Sequence, residues 1–143
     1  DAVAAGAVLA TGRGEADVHA GGRYLEPTVL VDVPADAAIL RTEVFGPVVT
    51  VQRFTTRDEA VALANDVDHG LAASVWTTRL DDALAVARGV HAGVVSVGAY
   101  SEGDLTVPFG GWKESGFGGV EKSLAAFEQR TRVKTVWVQL GPR

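Results

Sequence analysis

The sequence has 143 residues, of which 47% are hydrophobic, and its formal net charge of −5 is made of both signs scattered along the chain. This length and composition predict one compact domain with a substantial core, and they exclude the basic surface that a nucleic-acid-binding protein needs. Cysteine is absent, which excludes disulfides and thiolate metal sites, and no apolar run is long enough to span a membrane.

The first third of the chain predicts short elements that are separated by glycine and proline. We expect the last turn of a helix, a buried strand, a loop, an extended stretch, a short helical turn and a tight loop, over Ala2–Ala5, Val8–Ala10, Thr11–Gly22, Tyr24–Val33, Pro34–Leu40 and Arg41–Pro47 in that order. Because methionine is absent and the chain opens like the end of a helix, we expect a fragment that begins within a domain.

From residue 48 onwards, strand and helix patterns alternate regularly. Thr56 and Glu59 have the form of a capping box, in which a hydroxyl and a carboxylate satisfy early amides of a helix. Apolar residues at helical spacing follow, and a second amphipathic helix is predicted from residue 80. The expected strands are Val48–Phe54, Ala72–Trp76 and Val94–Val97. The alternation predicts an α/β fold built on a right-handed parallel βαβαβ unit.

A glycine-rich loop over Gly98–Gly119 follows the third of these strands and carries several large apolar residues. It does not fit the dinucleotide-binding fingerprint, because the third glycine of that pattern would fall at Glu121. Sheets of this kind bind ligands beyond the carboxyl ends of their strands. The loop is therefore predicted to lie beside a site.

The chain ends with a predicted helix over Val120–Gln129 and a predicted strand over Thr131–Leu140. The strand has apolar side chains on both faces, and such strands are normally covered on both sides. We expect the cover to come from another chain or from a missing N-terminal portion of the protein. The pattern therefore predicts self-association through this strand.

Glu43 and Phe45 lie in a tight loop that suits cofactor binding. A carboxylate on such a loop can accept two hydrogen bonds from a ribose diol, and a nearby phenylalanine offers a flat apolar face. The alternative is a turn with a solvated glutamate and a phenylalanine that belongs to the core.

Other polar residues are weaker candidates for chemistry. Glu102 and Asp104 are suited to attract a cationic substrate, although short acidic loops are usually only solvated. Lys113 is either a site residue or a solvated lysine. Ser115 has no histidine or aspartate partner at the spacing of a hydrolase triad. The three histidines show no metal-ligand spacing, which favours surface or supporting roles for His19, His69 and His91.

Several motifs occur in one order along the chain: Glu-Val-Phe-Gly-Pro-Val at 43–48, His-Gly-Leu-Ala-Ala at 69–73 and Pro-Phe-Gly-Gly-x-Lys-x-Ser-Gly-x-Gly at 108–118. With Tyr-Leu-Glu-Pro-Thr at 24–28 and Val-Lys-Thr-Val-Trp at 133–137, they closely resemble the C-terminal part of the NAD(P)-dependent aldehyde dehydrogenase superfamily. The resemblance covers essentially the whole chain. Gly-Asp-Leu-Thr-Val before Pro108 resembles the branch that oxidises γ-glutamyl-γ-aminobutyraldehyde and related aminoaldehydes.

The resemblance implies roles for particular residues. Glu43 would bind the nicotinamide ribose hydroxyls of NAD or NADP, and Phe45 would pack near the nicotinamide. The aldehyde entrance would be lined by Glu102, Asp104, Leu105, Val107 and Phe109. The family reaction is attack of a cysteine thiolate on the aldehyde, hydride transfer to the cofactor, and hydrolysis of the thioester by a glutamate-activated water. The last strand would belong to the family's oligomerisation sheet, as in a dimer or tetramer.

The chain departs from the family pattern in two ways. It has no cysteine, so the nucleophile is absent, and the motifs that carry the general-base glutamate and the dinucleotide-binding domain precede the stretch that it resembles. Aligned through Pro108, Gly98 stands where the family usually has an asparagine that supports the site near the thioester. The missing amide calls efficient chemistry into question unless another residue supplies the hydrogen bond.

We interpret residues 1–130 as the incomplete C-terminal part of an aldehyde dehydrogenase catalytic domain and residues 131–143 as an oligomerisation strand and tail. We expect the isolated chain to be inactive and to bind no cofactor. The parent enzyme is expected to be cytoplasmic, with no nucleic-acid or membrane partner. The alternative is a stand-alone, non-catalytic module of the same fold that self-associates through its last strand.

Overall fold

A computed structural model of the chain describes residues 1–12, 15, 16, 22, 24–100 and 104–142. The chain divides into two compact units, Asp1–Asp68 and His69–Arg143, called here the first and second unit. The strands are β1 (Val8–Thr11), β2 (Glu15–Ala16), β3 (Tyr24–Leu25), β4 (Thr28–Val31), β5 (Val48–Val51), β6 (His69–Gly70), β7 (Ala72–Val75), β8 (Val94–Val97) and β9 (Trp112–Lys113). The α-helices are α1 (Arg57–Asn65), α2 (Leu80–Gly89) and α3 (Ser123–Glu128), and Ala38–Leu40 forms a 3-10 helix.

The first unit is built on a three-stranded sheet in the order β1-β4-β5. The outer strand β1 runs antiparallel to β4, and β5 runs parallel to β4, with Thr28 opposite Val48. β2 and β3 form a small antiparallel pair. β2 lies within the predicted loop Thr11–Gly22, and β3 follows that loop. The core of this unit consists of Ala7, Leu30, Val33 and Ala37, with Ala2, Ile39, Leu40 and Val48 packed against it.

Two predictions for the first unit need correction. The strand that was predicted as buried over Val8–Ala10 is exposed at every residue of β1, because β1 lies at an edge of the sheet. The strand that was predicted to reach Phe54 ends at Val51, because its partner β4 ends at Val31 and Asp32 turns the backbone to a φ of 50°. A left-handed φ at a residue other than glycine is uncommon and breaks the extended conformation.

The second unit contains a parallel strand–helix–strand arrangement. β7 and β8 pair in register from Ala72 opposite Val94 to Val75 opposite Val97, and α2 connects them. α2 buries Ala83, and its first turn is acidic while its last turn carries Arg88, as the helix dipole favours. A further antiparallel pair, β6 with β9, joins the start of the unit to the glycine-rich loop. The α/β class that the alternating pattern predicted is confirmed, with β5 and α1 in the first unit and β7, α2 and β8 in the second.

Side chains cap the N-terminus of α1 in an arrangement that is close to the predicted capping box. Thr56 is the N-cap, and its hydroxyl accepts a hydrogen bond from the Glu59 amide at 3.1 Å. The Glu59 carboxylate accepts bonds from the Thr55 amide at 2.7 Å and the Thr55 hydroxyl at 2.8 Å. These two bonds, the amide first, hold the pKa of Glu59 below its ordinary value. Their contribution to stability is therefore present at neutral pH and is lost as the pH falls through the lowered pKa.

Replacing Thr56 by alanine is expected to lower the free energy of unfolding of the first unit by about 1 kcal/mol, because the Glu59 amide loses its acceptor. Urea denaturation would show a lower midpoint with an unchanged slope. Thr78→Ala is the matched control, since Thr78 is exposed and lies outside the cap of α1. Equal midpoints for the two variants would contradict the prediction.

The C-terminal elements are shorter than the sequence predicted. α3 begins at Ser123 rather than Val120, because the Glu121 amide bonds to the Phe109 carbonyl at 2.7 Å and the Ser123 amide bonds to the Leu105 carbonyl at 3.0 Å. The predicted strand over Thr131–Leu140 is not formed, since none of the described residues pairs with it, and a strand needs a partner for its ladder. Its apolar side chains are exposed, and Trp137 retains 90% of its accessible surface.

The described part of the chain contains no helix of the length and apolar character that crossing a membrane requires.

Candidate functional site

The loop of residues 42–47, called here the Glu43 loop, begins at the end of the 3-10 helix. The amides of Arg41 and Thr42 both bond to the Ala38 carbonyl, at 3.0 and 2.9 Å. The helix itself is held against the core of the first unit by Ile39 and Leu40. The residue immediately before Glu43 is therefore fixed by backbone hydrogen bonds and apolar packing.

The other end of the Glu43 loop is fixed to the sheet. The Pro47 carbonyl accepts a bond from the Thr28 amide at 2.8 Å, where β4 and β5 begin. Glu43 is exposed between these two anchors, and Phe45 retains 92% of its accessible surface. Phe45 therefore does not pack into the core of this chain. The loop presents a carboxylate and an aromatic face together.

The predicted aldehyde entrance lies in the second unit. Here residues 104–109 are called the entrance segment, and Glu102 lies outside the described residues. The Thr106 hydroxyl and amide donate to Asp104 Oδ1 at 2.5 and 2.6 Å. These bonds, the hydroxyl first, hold the pKa of Asp104 below its ordinary value, so this exposed carboxylate is ionised at neutral pH. Leu105 next to it is 80% exposed.

The entrance segment is attached to the chain that leads into α3. The Leu105 carbonyl accepts a bond from the Ser123 amide, and the Phe109 carbonyl accepts one from the Glu121 amide. Lys122 Nζ lies 4.8 Å from the centre of the Phe109 ring, within the range of a cation–π interaction. Lys122 also contributes, as a minor cause, to the lowered pKa of Asp104. One lysine therefore acts on both an aromatic and an acidic residue of the segment.

Glycine in this region allows backbones to approach closely. A Cβ added to Gly93 would lie 1.6 Å from the Gly110 carbonyl oxygen, which no side chain can tolerate. The Ser115 hydroxyl accepts a bond from the Gly70 amide at 3.0 Å, which ties the loop to β6. Ser115 thus has a structural bond, and Lys113 is exposed in β9. The close approach of Gly93 and Gly110 therefore has a packing reason.

A cavity of about 350 Å³ lies against the same loop in the second unit. Its lining is mixed, with the aromatic rings of Phe109 and Phe117 and the polar side chains of Glu121, Gln129 and Arg130. Phe117 itself is fully exposed at one edge. The loop is therefore folded around an open recess rather than packed into a closed core.

Gly98 ends β8 in a left-handed conformation. Its φ is +66°, its amide bonds to the Val75 carbonyl at 2.8 Å, and an added Cβ would meet no atom within 4 Å. Asparagine tolerates this region of backbone space better than other non-glycine residues. The backbone at this position would therefore accept the asparagine that the family pattern has there.

The structure groups the predicted site residues into two sets. Glu43 and Phe45 share one loop of the first unit, and the described members of the entrance set share one segment of the second unit. Sequence reasoning missed Arg41, Asp66 and Lys122. Their contacts join residues that no local spacing pattern connects, so the sequence offered no signal for them. Within the described ranges, no group of three acidic or histidine side chains is placed to hold a metal ion.

The sequence also matches known proteins. The profile described as the aldehyde dehydrogenase family matches residues 1–136. Aminoacetaldehyde dehydrogenase of Pseudomonas aeruginosa is 49% identical over 117 residues, which are 82% of this chain and 24% of that protein. The NADP/NAD-dependent aldehyde dehydrogenase PuuC of Escherichia coli is 50% identical over 114 residues, which are 80% of this chain and 23% of that protein. The chain thus spans about a quarter of the length of these curated relatives.

Solved structures share its fold. The indole-3-acetaldehyde dehydrogenase AldA of P. syringae, a mutant in complex with NAD+ and IAA, has a TM-score of 0.88 at 44% identity and is matched over 96% of this chain and 28% of its own. The aldehyde dehydrogenase KauB of Pseudomonas aeruginosa also has a TM-score of 0.88 at 44% identity, over 97% of this chain and 28% of its own. A Mycobacterium tuberculosis aldehyde dehydrogenase complexed with NAD+ has a TM-score of 0.87 at 34% identity, over 99% of this chain and 29% of its own.

Proposed function

The chain belongs to the aldehyde dehydrogenase family, and we propose that it supplies the ribose-binding loop and the substrate entrance of an enzyme that oxidises an aldehyde to a carboxylic acid with NAD or NADP. The observation that carries this proposal is the similarity of its fold, over nearly its whole length, to aldehyde dehydrogenases solved with NAD+. The complete enzyme is defined as this chain together with the rest of an aldehyde dehydrogenase, either its own or that of the Escherichia coli relative in a chimaera.

In this proposal, Glu43 accepts hydrogen bonds from the two hydroxyls of the nicotinamide ribose. The exposed carboxylate has the acceptor oxygens that a vicinal diol needs, and both ends of its loop are anchored by backbone bonds. The exposed ring of Phe45 offers an apolar face for the nicotinamide. The chemistry of these residues fits the cofactor, which when bound would accept the hydride.

We further propose that the substrate is an aminoaldehyde, as in the γ-glutamyl-γ-aminobutyraldehyde branch. Asp104 is ionised and exposed in the entrance segment, beside the apolar side chains of Leu105 and Val107. An acidic group with apolar neighbours suits a chain that carries an ammonium group some distance from the aldehyde. The 49% identity with an aminoacetaldehyde dehydrogenase supports this choice. Glu102 would add a second acidic group to the same entrance.

The chemical roles divide between this chain and the rest of the complete enzyme. This chain has no cysteine, so the thiolate that attacks the aldehyde would come from elsewhere in the complete enzyme. In this proposal the glutamate that activates water also lies in that other part of the enzyme. The residues of this chain would hold the ribose and admit the substrate. Residues 131–143 would form the oligomerisation strand and tail, with residues 1–130 as part of the catalytic domain.

Residues 1–143 produced alone are expected to form no NADH or NADPH from any aldehyde, because a chain without cysteine cannot form the thiohemiacetal from which a hydride leaves. The complete enzyme is expected to form the reduced cofactor. Among a panel of aminoaldehydes and neutral aldehydes of equal length, the rate is expected to be highest with an aminoaldehyde. Absorbance of the reduced cofactor measures both.

Turnover by residues 1–143 that survives repurification would contradict the first expectation. The rival function, a non-catalytic module that self-associates through its last strand, would be favoured by an oligomeric native mass together with a complete chimaera that never turns over. A preference for neutral aldehydes over aminoaldehydes would contradict the proposed substrate class.

A further inference from the structure

Arg41 links three parts of the first unit through one guanidinium group. Its backbone ends the 3-10 helix two residues before Glu43. Its Nη1 donates to the Ala35 carbonyl at 3.0 Å, and its Nη2 pairs with Asp66 Oδ2 at 2.5 Å. A guanidinium can serve two acceptors at once because its donors project in a fixed planar fork.

Asp66 is the residue at the other end of this link. It is the C-cap of α1, where its own amide bonds to the Leu63 carbonyl at 3.2 Å. α1 has no buried residue of its own, so apolar packing does little to fix its end. The ion pair joins residues 25 positions apart and connects the end of this helix to the turn that carries the Glu43 loop.

We propose that Arg41 and Asp66 are positioning residues for Glu43, a role that rests on the proposed function of that carboxylate. The far end of the Glu43 loop is anchored on the sheet through Pro47. The near end is held by one turn of 3-10 helix and by the packing of Ile39 and Leu40, and a 3-10 turn has poorer hydrogen-bond geometry than an α-helix. The ion pair restrains this turn from a second direction. It therefore limits the positions that the carboxylate can adopt before a ribose arrives.

A purely stabilising role would give a different result from a positioning role. Both side chains are partly exposed, at 38% for Arg41 and 60% for Asp66, and such pairs contribute little to global stability. Positioning, by contrast, acts on a few loop amides and on the cofactor. The two roles are therefore distinguished by the rate of amide exchange in the Glu43 loop rather than by the melting temperature.

The first experiment measures amide hydrogen exchange of residues 42–46 in the cofactor-free complete enzyme. Asp66→Asn is expected to speed this exchange about twofold to fivefold, the factor that corresponds to a partly exposed ion pair. Arg41→Lys should give an intermediate increase, because lysine keeps the charge and loses the fork. The matched control is Asp68→Asn, which removes the same charge from an exposed position two residues away. Equal exchange in Asp66→Asn, Asp68→Asn and the parent overturns the inference.

The second experiment measures kcat/KM for the cofactor in the same variants. Asp66→Asn is expected to lower this ratio about twofold to fivefold in the parent and to have no further effect once Glu43 is glutamine. Equal losses in both backgrounds would show that Asp66 does not act through Glu43 and would overturn the inference. Faster exchange with an unchanged kcat/KM would overturn the inference, as would unchanged exchange. The proposed role of Glu43 fails separately, if Glu43→Gln itself leaves kcat/KM for the cofactor unchanged.

Discussion

Replacing Glu43 by glutamine is expected to lower the rate of hydride transfer in the complete enzyme by about 10- to 100-fold, the scale of loss that a misplacement of about 1 Å produces. A carboxylate holds a vicinal diol by accepting two charge-assisted bonds, whereas an amide is neutral and has one acceptor oxygen, so it cannot accept from both hydroxyls in the same way. The nicotinamide would then be misaligned with the donor carbon. The rate is measured in a single turnover with saturating aldehyde and cofactor.

The same substitution is expected to leave the melting temperature almost unchanged, because Glu43 is exposed on a loop that adds nothing to the core. Asp36→Asn is the matched control, since it neutralises another exposed carboxylate of the first unit. Unchanged kinetics together with a lowered melting temperature would support a structural glutamate instead. A loss of rate as large in Asp36→Asn would point to an effect of net charge.

Local periodicity was sufficient to predict most of the regular elements. β7, α2 and β8 form where the spacing of apolar residues predicted a strand, a helix and a strand, because the contacts among them lie within about 30 residues of chain. The same logic predicted Thr56 as a cap. It could not predict the end of β5, which depends on the length of a partner strand and on the left-handed turn at Asp32.

The site was less predictable than the fold because its contacts are non-local. The exposure of Phe45 could not be derived from composition, since a phenylalanine in a turn is equally compatible with a core position. The pairing of Arg41 with Asp66 follows from where α1 ends in space. The close approach of this loop to the preceding chain, such as the Gly110 carbonyl beside Gly93, also required coordinates.

The C-terminal segment carries apolar side chains that this chain does not cover. Val133, Val136, Trp137, Val138 and Leu140 are all exposed in this chain, although they are the residues that would cover a strand on both faces. A contiguous set of exposed apolar side chains of this kind usually marks a surface for another protein segment. The unpaired amides and carbonyls of the same residues would complete a ladder with a partner strand.

Residues 1–143 produced alone are therefore expected to self-associate, and Val136→Lys combined with Val138→Lys is expected to weaken that association by at least about 100-fold. The two valines alternate with Trp137, so they would lie on one face of a strand, and losing their burial corresponds to about 3 kcal/mol. Sedimentation velocity at several concentrations measures the change. Gln52→Lys with Thr78→Lys is the matched control, because it adds the same charge at exposed positions outside the segment. A parent chain that stays monomeric at every concentration and is indifferent to the two lysines would show that the segment folds back onto its own chain.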